Sequence, residues 1–232
     1  MKEKLKKLFP KLYAKWHNFR VERINEAEKL KKEAYDKYGY DVLKDLYEMV
    51  YSKGYEVSCY YGTLLGIVRD HGLIPWDDDL DFTILDSDTF LWDNFEKDMR
   101  KIGFYKFRTI ESEGKITAES YIKNNVLCDF GLKEKGNDIV ETYYGCYQIK
   151  GLKYENGKPQ FYQYWRCETP QTSNLVSMDL KDFKVKVPQN YEEVLTSYYG
   201  EWRIPDPNFV PKREEIKKEC TITCYKKPLF VK

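Results

Sequence analysis

Residues 60–85, YYGTLLGIVRDHGLIPWDDDLDFTIL, form the stretch around which the rest of the chain is organised. Four aspartates fall within five positions: Asp77, Asp78, Asp79 and Asp81. Residues 80–85 are largely apolar and rich in residues that favour strands, so they predict a β-strand that begins at the acidic run. This stretch therefore predicts carboxylates displayed at the start of a buried strand.

Strand geometry predicts how these carboxylates are arranged. Side chains alternate between the two faces of a strand, so Asp77, Asp79 and Asp81 share a face if the strand begins early enough, and Asp78 points away. Carboxylates on one face repel each other unless a cation neutralises them. Oxygen-only ligands suit Mg²⁺ or Mn²⁺, ions that also bind phosphates. The alternative is a solvated acidic turn.

The segment before the acidic run predicts a phosphate-binding turn. Gly62 permits close approach of the backbone, and Thr63 is a good N-cap for a helix that runs to Arg69. Amides at a helix N-terminus attract phosphate, and the Arg69 guanidinium adds a forked cation for the same anion. We therefore expect Gly62, Thr63 and Arg69 to bind substrate. The alternative is an ordinary buried helix–turn–strand connection.

The motif GTLLGIVRDHGLIPWDDDLDF resembles the signature of the LicD family, which includes bacterial phosphocholine transferases and is related to the fukutin group. It is also similar to the wider nucleotidyltransferase superfamily, where a Gly-Ser-like turn precedes a strand with Asp-x-Asp. A third carboxylate, on a later strand, completes that pattern, and VLCDFGL at 126–132 supplies Asp129. This sequence departs from the pattern at Thr63, where Ser is frequent, and at Phe-Gly, in place of Phe-Pro, after Asp129.

The resemblance implies an α+β fold: a nucleotidyltransferase-like mixed sheet flanked by helices. The catalytic domain would span 39–232, with an N-terminal helical extension at 1–38. The middle of the chain matches loosely, and a weaker similarity returns at 185–207.

The same resemblance implies a metal-dependent transferase that moves a phospho-alcohol onto a cell-surface glycan or its precursor. The most typical case is phosphocholine from CDP-choline, so the expected partners are a CDP-activated alcohol and a glycan or lipid-linked glycan acceptor. Its implied site residues are the metal ligands Asp77, Asp79, Asp81 and Asp129, and the last three are also catalytic. Asp129 is the candidate proton acceptor. Two alternatives stay open: nucleoside monophosphate transfer, and a catalytically silent glycan- or nucleotide-binding module.

Composition narrows the class of partner. The 232 residues carry a net charge of +1, which argues against a nucleic-acid-binding protein. The 21 Tyr, 12 Phe and 5 Trp suit stacking on sugars or bases and packing around quaternary ammonium groups, although Tyr can also simply replace other residues. No apolar run is long enough to cross a membrane and no signal peptide is evident, so we expect a cytoplasmic protein with reduced cysteines. The basic residues 1–12 suggest contact with the inner membrane face or, alternatively, a solvated helix.

The hydrophobic pattern gives a coarse secondary structure. It predicts helices at 13–38, 40–53, from Ser87 or Asp88 to Ile102, and at 191–199. It predicts strands at 55–61, 80–85, 105–110, 117–123, 125–132 and 180–187, with further strand or loop at 138–150 and 161–167. The tail after Pro205 is expected to lie over the surface.

Overall fold

A computed structural model describes residues 10–85, 90–133, 139–144, 159–170, 172, 174–210 and 214–225, with the backbone alone for 10–25, 139–144, 159–169 and 214–220. The helices are α1 (Pro10–Lys53), α2 (Tyr61–Leu65), which continues as a π-helical turn (Gly66–Asp70), α3 (Trp92–Lys101) and α4 (Tyr191–Tyr199). The strands are β1 (Val57–Cys59), β2 (Asp79–Leu85), β3 (Tyr105–Ser112), β4 (Lys115–Lys123), β5 (Val126–Lys133), β6 (Ile139–Tyr144), β7 (Pro159–Pro170), β8 (Leu175–Leu180), β9 (Phe183–Pro188) and β10 (Glu214–Cys224).

The described strands form a mixed sheet of eight, in the order β1-β2-β5-β4-β3-β10-β7-β6. Strands β2 and β5 run parallel, and the other neighbouring pairs described are antiparallel. Strands β8 and β9 pair as a separate antiparallel hairpin. This α+β arrangement, with a helix at its N-terminal side, confirms the predicted fold class.

Helix α1 packs its C-terminal half against the sheet because apolar residues recur there at three- and four-residue intervals. Six of them are buried: Val42, Leu43, Leu46, Tyr47, Met49 and Val50. The Tyr47 ring lies 6.3 Å from the ring of Phe82 on β2, centroid to centroid. Since neighbouring residues on a strand face opposite sides, this C-terminal half of α1 covers the side of β2 that faces away from Asp81.

Several predicted elements are confirmed and others differ. The helix at 191–199 is found, and Gly200 follows it with a φ of 66°. The helices predicted at 13–38 and 40–53 are one helix, α1, which passes residue 38 without a break. Gly39 leaves room for Leu73, since a Cβ there would lie 2.8 Å from Leu73 Cδ1. The helix predicted to begin at Ser87 or Asp88 is α3, which begins later, at Trp92, with Leu91 in the cap position. Ser87 and Asp88 themselves lie outside the described residues.

Two predictions in the C-terminal third are wrong. The single strand predicted at 180–187 covers the end of β8, a turn and most of β9, and this turn places Lys181 in the left-handed region with a φ of 54°. The segment after Pro205, which we expected to lie over the surface, contains β10, and this strand lies inside the sheet between β3 and β7. Its residues Thr221–Cys224 pair with β3. A long strand with two partners satisfies its backbone hydrogen bonds on both sides.

No helix in the described part of the chain is long and apolar enough to cross a bilayer. The basic segment 1–12 falls where the structure describes no side chains, so its contact with a membrane stays a prediction.

Gly66 offers a test of how tightly α2 packs. Its backbone is helical, yet a Cβ there would lie 2.6 Å from the Gly72 carbonyl oxygen and 3.0 Å from Ile74. We expect Gly66→Ala to lower the free energy of unfolding by about 1–3 kcal/mol, measured by chemical denaturation, because that carbonyl must shift.

Gly131→Ala is the matched control, since a Cβ at Gly131 would meet no described atom within 4 Å. A Gly66→Ala protein as stable as the wild type, or more stable, would show that α2 is loosely packed.

Candidate active site

The parallel pairing of β2 with β5 brings Asp129 to the acidic strand. Asp81 lies in register with Asp129, and Phe82 with Phe130. The two phenylalanine rings stack with centroids 4.8 Å apart at an interplanar angle of 17°. Because adjacent residues on a strand face opposite sides, Asp81 and Asp129 share the other face of the sheet, together with Asp79.

A tight group of carboxylates lies where β2 begins. One carboxylate oxygen from each of Asp77, Asp78 and Asp79 falls within 4.8 Å of the others. The prediction that Asp78 points away is wrong, because β2 begins at Asp79 and strand alternation does not extend to the two residues before it. We refer to Asp77, Asp78, Asp79, Asp81 and Asp129 as the acid cluster.

Burial and mutual repulsion act on the protonation of the acid cluster. Burial, and then the charge of Asp79, raise the pKa of Asp77 to about 7. Burial also raises the pKa of Asp79, although Lys31 opposes this shift. The pKa of Asp81 lies well above its usual value because of burial and the charges of Asp79 and Asp129. The acid cluster offers only oxygen ligands, and its negative charges outnumber the positive charges next to it. Such a site fits a hard divalent cation such as Mg²⁺ or Mn²⁺.

Two basic residues that the sequence did not reveal hold the acid cluster at its two ends. Lys31 of α1 donates from Nζ to Asp78 Oδ1 at 2.8 Å and to Asp79 Oδ2 at 2.9 Å. Arg108 of β3 donates from Nη2 to both oxygens of Asp129, at 2.9 and 2.8 Å.

The signals for these two residues in the sequence are weak. Lys31 sits in a charged helix with many other lysines, so nothing distinguishes it. Arg108 is better marked, because it falls inside the strand predicted at 105–110, and an arginine that is buried in a sheet needs an anionic partner. The side chain of Arg108 is buried, and its Nε also donates to Ser120 Oγ at 2.7 Å.

Gly62 and Thr63, in the first turn of α2, contact the acid cluster and hold it in place. A Cβ on Gly62 would overlap Asp77 Oδ2, so glycine is required for Asp77 to occupy its position. Thr63 is fully buried, and its Oγ1 accepts the backbone N–H of Asp81 at 2.8 Å. The prediction of Thr63 as an N-cap is wrong: α2 begins at Tyr61, and the cap position is Tyr60.

Arg69 lies at the edge of the same site. Its guanidinium forms two hydrogen bonds with Asp70, 2.8 Å from Nε and 2.7 Å from Nη2, and lies 5.7 Å from the centre of the Trp76 ring. These contacts fix a cation at the mouth of the site. Its binding to substrate stays a prediction.

A pocket of about 570 Å³ opens in front of the acid cluster. Its wall includes Gly62, Arg69 and four aspartates, Asp77, Asp78, Asp79 and Asp81. As far as the described residues form this wall, it includes neither Thr63 nor Asp129.

The other side of the pocket is aromatic. Its aromatic lining residues are Tyr61, Trp76, Tyr198, Tyr199, Trp202 and Phe209. Glu201 and Asp206 add two further carboxylates. Most of this wall comes from the end of α4 and the residues after it, which the sequence marked only through its weaker similarity at 185–207.

The sequence around the acid cluster matches a known protein family. The sequence model described as LicD/FKTN/FKRP, nucleotidyltransferase domain, matches residues 54–190, which is more than half of the chain. The chain belongs to this family. The resemblance drawn from residues 62–82 is thereby confirmed.

Two curated relatives match shorter segments. An uncharacterized protein of Rickettsia typhi is 34% identical over 65 residues, 28% of this chain and 21% of its own length. An uncharacterized protein of Rickettsia prowazekii is 43% identical over 49 residues, 21% of this chain and 18% of its own length. The chain thus spans about a fifth of the length of these relatives.

The matched range leaves part of the site outside it. Lys31 precedes residue 54, and the aromatic wall at 198–209 follows residue 190. The family match therefore covers the acid cluster, while two neighbouring parts of the site come from this chain's flanking segments.

The raised pKa of Asp77 predicts how stability depends on pH. Asp77 has a pKa of about 7 in the folded protein and about 3.9 in the unfolded chain. At a pH between these two values, Asp77 carries a proton in the folded protein but not in the unfolded chain. We therefore expect the metal-free protein to lose stability as the pH rises through this range. The loss of stability is measured as a fall in melting temperature, in chelator-treated buffer, as the pH is raised through this range.

Asp77→Asn is the control, because it removes the titrating group and should flatten this slope. Mn²⁺ should raise the melting temperature more at the upper end of the range, where Asp77 is deprotonated. A wild-type slope no steeper than that of Asp77→Asn would contradict the assignment.

Proposed function

We propose that this chain is a metal-dependent transferase that moves a phospho-alcohol, phosphocholine from CDP-choline in the first instance, onto a cell-surface glycan or its precursor. The observation that carries the proposal is the acid cluster: Asp77, Asp78, Asp79 and Asp81 line a pocket in a LicD-type domain, and Asp129 of β5 lies in register with Asp81. Phosphoryl-type transfer depends on positioning and charge neutralisation more than on covalent catalysis, and the site offers both.

Asp77, Asp79 and Asp81 are the proposed ligands for Mg²⁺ or Mn²⁺, and Asp129 completes the set. All four side chains supply oxygen ligands only, and burial of the charges of Asp77, Asp79 and Asp81 leaves those three carboxylates in need of a cation. A bound divalent cation would neutralise the negative charge of the donor's phosphates. Gly62 keeps Asp77 in place, and Thr63 fixes the backbone of Asp81.

The transfer itself balances without further reactants. The acceptor hydroxyl oxygen forms a bond to the phosphorus that carries the alcohol, and the bond from that phosphorus to the bridging oxygen breaks. CMP leaves with the bonding electrons. We assign the hydroxyl proton to the Asp81–Asp129 carboxylate pair, in which Arg108 holds Asp129 and Asp81 lines the pocket.

The aromatic wall supports a cationic alcohol as the transferred group. Quaternary ammonium groups bind over the faces of aromatic rings, and tryptophan is the strongest such partner. Trp76 and Trp202 both line the pocket, and Glu201 and Asp206 supply negative charge close by. These features favour choline over an uncharged alcohol.

The activity is tested by the release of CMP from a panel of CDP-alcohols in the presence of Mg²⁺ or Mn²⁺. We expect Asp79→Asn and Asp81→Asn each to reduce the rate by at least about a thousandfold, because each removes a charge that holds the cation. Circular dichroism should show that both variants are folded.

Asp182→Asn is a matched control, since Asp182 is an exposed carboxylate paired with Lys44 away from the pocket. Wild-type rates in either cluster variant would contradict the assignment. Pyrophosphate released from CTP, instead of CMP from a CDP-alcohol, would indicate nucleotidyl transfer, and neither product would indicate a silent binding module.

Trp76 tests the identity of the alcohol. Its side chain is 44% exposed and lines the pocket, so its replacement disturbs little of the core. We expect Trp76→Leu to raise the KM for CDP-choline about tenfold and to change the KM for a CDP-alcohol without a positive charge by less than about threefold.

Tyr225→Leu is the control for this experiment, because Tyr225 is an exposed aromatic residue after β10 that does not line the pocket described here. An equal rise in KM for both donors would show that Trp76 does not recognise the ammonium group.

A further inference from the structure

Lys31 lies against the acid cluster, although it belongs to α1 and precedes the residues that match the family. Its ammonium bridges Asp78 Oδ1 at 2.8 Å and Asp79 Oδ2 at 2.9 Å. The side chain is 17% exposed, so the ion pair is shielded from much of the solvent. A shielded pair is screened less by salt than a surface pair.

This ammonium shares its ligands with the proposed cation site. Asp78 and Asp79 also contribute to the group of three carboxylate oxygens that lie within 4.8 Å of one another. Asp79 is therefore both a partner of Lys31 and a proposed ligand of the divalent cation. Two cations on one carboxylate repel each other, so Lys31 must weaken the binding of the metal while it holds the carboxylates in place.

Tyr35, one turn further along α1, gives an independent indication. Its side chain is 3% exposed, and its hydroxyl has no hydrogen-bond partner among the residues that the structure describes. The negative charges of Asp77, Asp79 and Asp81 act on it, after burial itself, to raise its pKa. A buried hydroxyl of this kind, placed close to carboxylates, points to a further group between α1 and the acid cluster.

We propose that Lys31 is a positioning residue of the metal centre: an internal counter-ion that holds Asp78 and Asp79 in the metal-free protein and limits how tightly the acid cluster binds a divalent cation. The inference rests on the cation site of the proposed function. The new element is that α1 forms part of the metal centre, where the Lys31 ammonium supplies a positive charge from the protein itself.

The test compares Lys31→Met with Lys31→Arg. Methionine keeps the length of the side chain and removes the charge, whereas arginine keeps the charge. We expect Lys31→Met to bind Mn²⁺ roughly tenfold more tightly than the wild type, by titration calorimetry, because a like charge on a shared ligand is gone. Lys31→Arg should stay within about threefold of the wild type for the same reason.

Lys29→Met is the matched control. Lys29 lies on the same helix, but its side chain is 75% exposed and its partner is Glu33, at 3.7 Å. Its replacement should leave Mn²⁺ binding unchanged. Melting temperatures add a second measurement: Lys31→Met should melt below the wild type without metal, and saturating Mn²⁺ should narrow the difference.

The outcomes separate this inference from the proposed function. Folded Lys31→Met with equal or weaker Mn²⁺ affinity would overturn the role of Lys31, even if the wild type releases CMP. Tighter Mn²⁺ binding without CMP release from any donor would uphold the role and refute the transferase. If neither the wild type nor Lys31→Met binds Mn²⁺, the role of Lys31 is also overturned. If Lys31→Met does not fold, Lys31→Gln undergoes the same comparison with the same expected result.

Discussion

Repulsion among neighbouring carboxylates is the constraint on which the site depends. The parallel pairing of β2 with β5 places Asp81 beside Asp129, and the turn before β2 adds Asp77 and Asp78. Partly buried carboxylates of like charge are costly to assemble, because both desolvation and mutual repulsion oppose ionisation. The structure offsets this cost at two ends, through Lys31 and Arg108, and leaves the middle of the cluster with excess negative charge.

The site is assembled from three regions of the chain. The family domain contributes the acid cluster, and the long N-terminal helix contributes Lys31. The end of α4 and the segment after it contribute most of the aromatic wall. The geometry of the cluster in turn depends on two small contacts beneath it. Gly62 leaves space for Asp77, and the Thr63 hydroxyl fixes the start of β2 through the Asp81 amide.

The sequence predicts much of the fold near its central motif and less elsewhere. Asp81 and Asp129 were recognisable because each precedes a phenylalanine in an apolar strand, which is a local signal. The orientation of Asp78 was not predictable, since it depends on the residue at which β2 begins. Lys31 and Arg108 became visible only through contacts between elements distant in sequence. The inner position of β10 had no local signal, because which strands pair is a property of the whole sheet.

The position of β10 also determines the order in which the sheet can be completed during synthesis. Strands β1 to β5 pair with one another, whereas in the described sheet β6 and β7 join them through β10, which follows all of them in the chain and is therefore synthesised later. Until then the free edge of β3 presents unpaired backbone groups, which are a template for association with other chains. Until β10 has been synthesised, the nascent protein therefore exposes an edge that the folded sheet keeps inside.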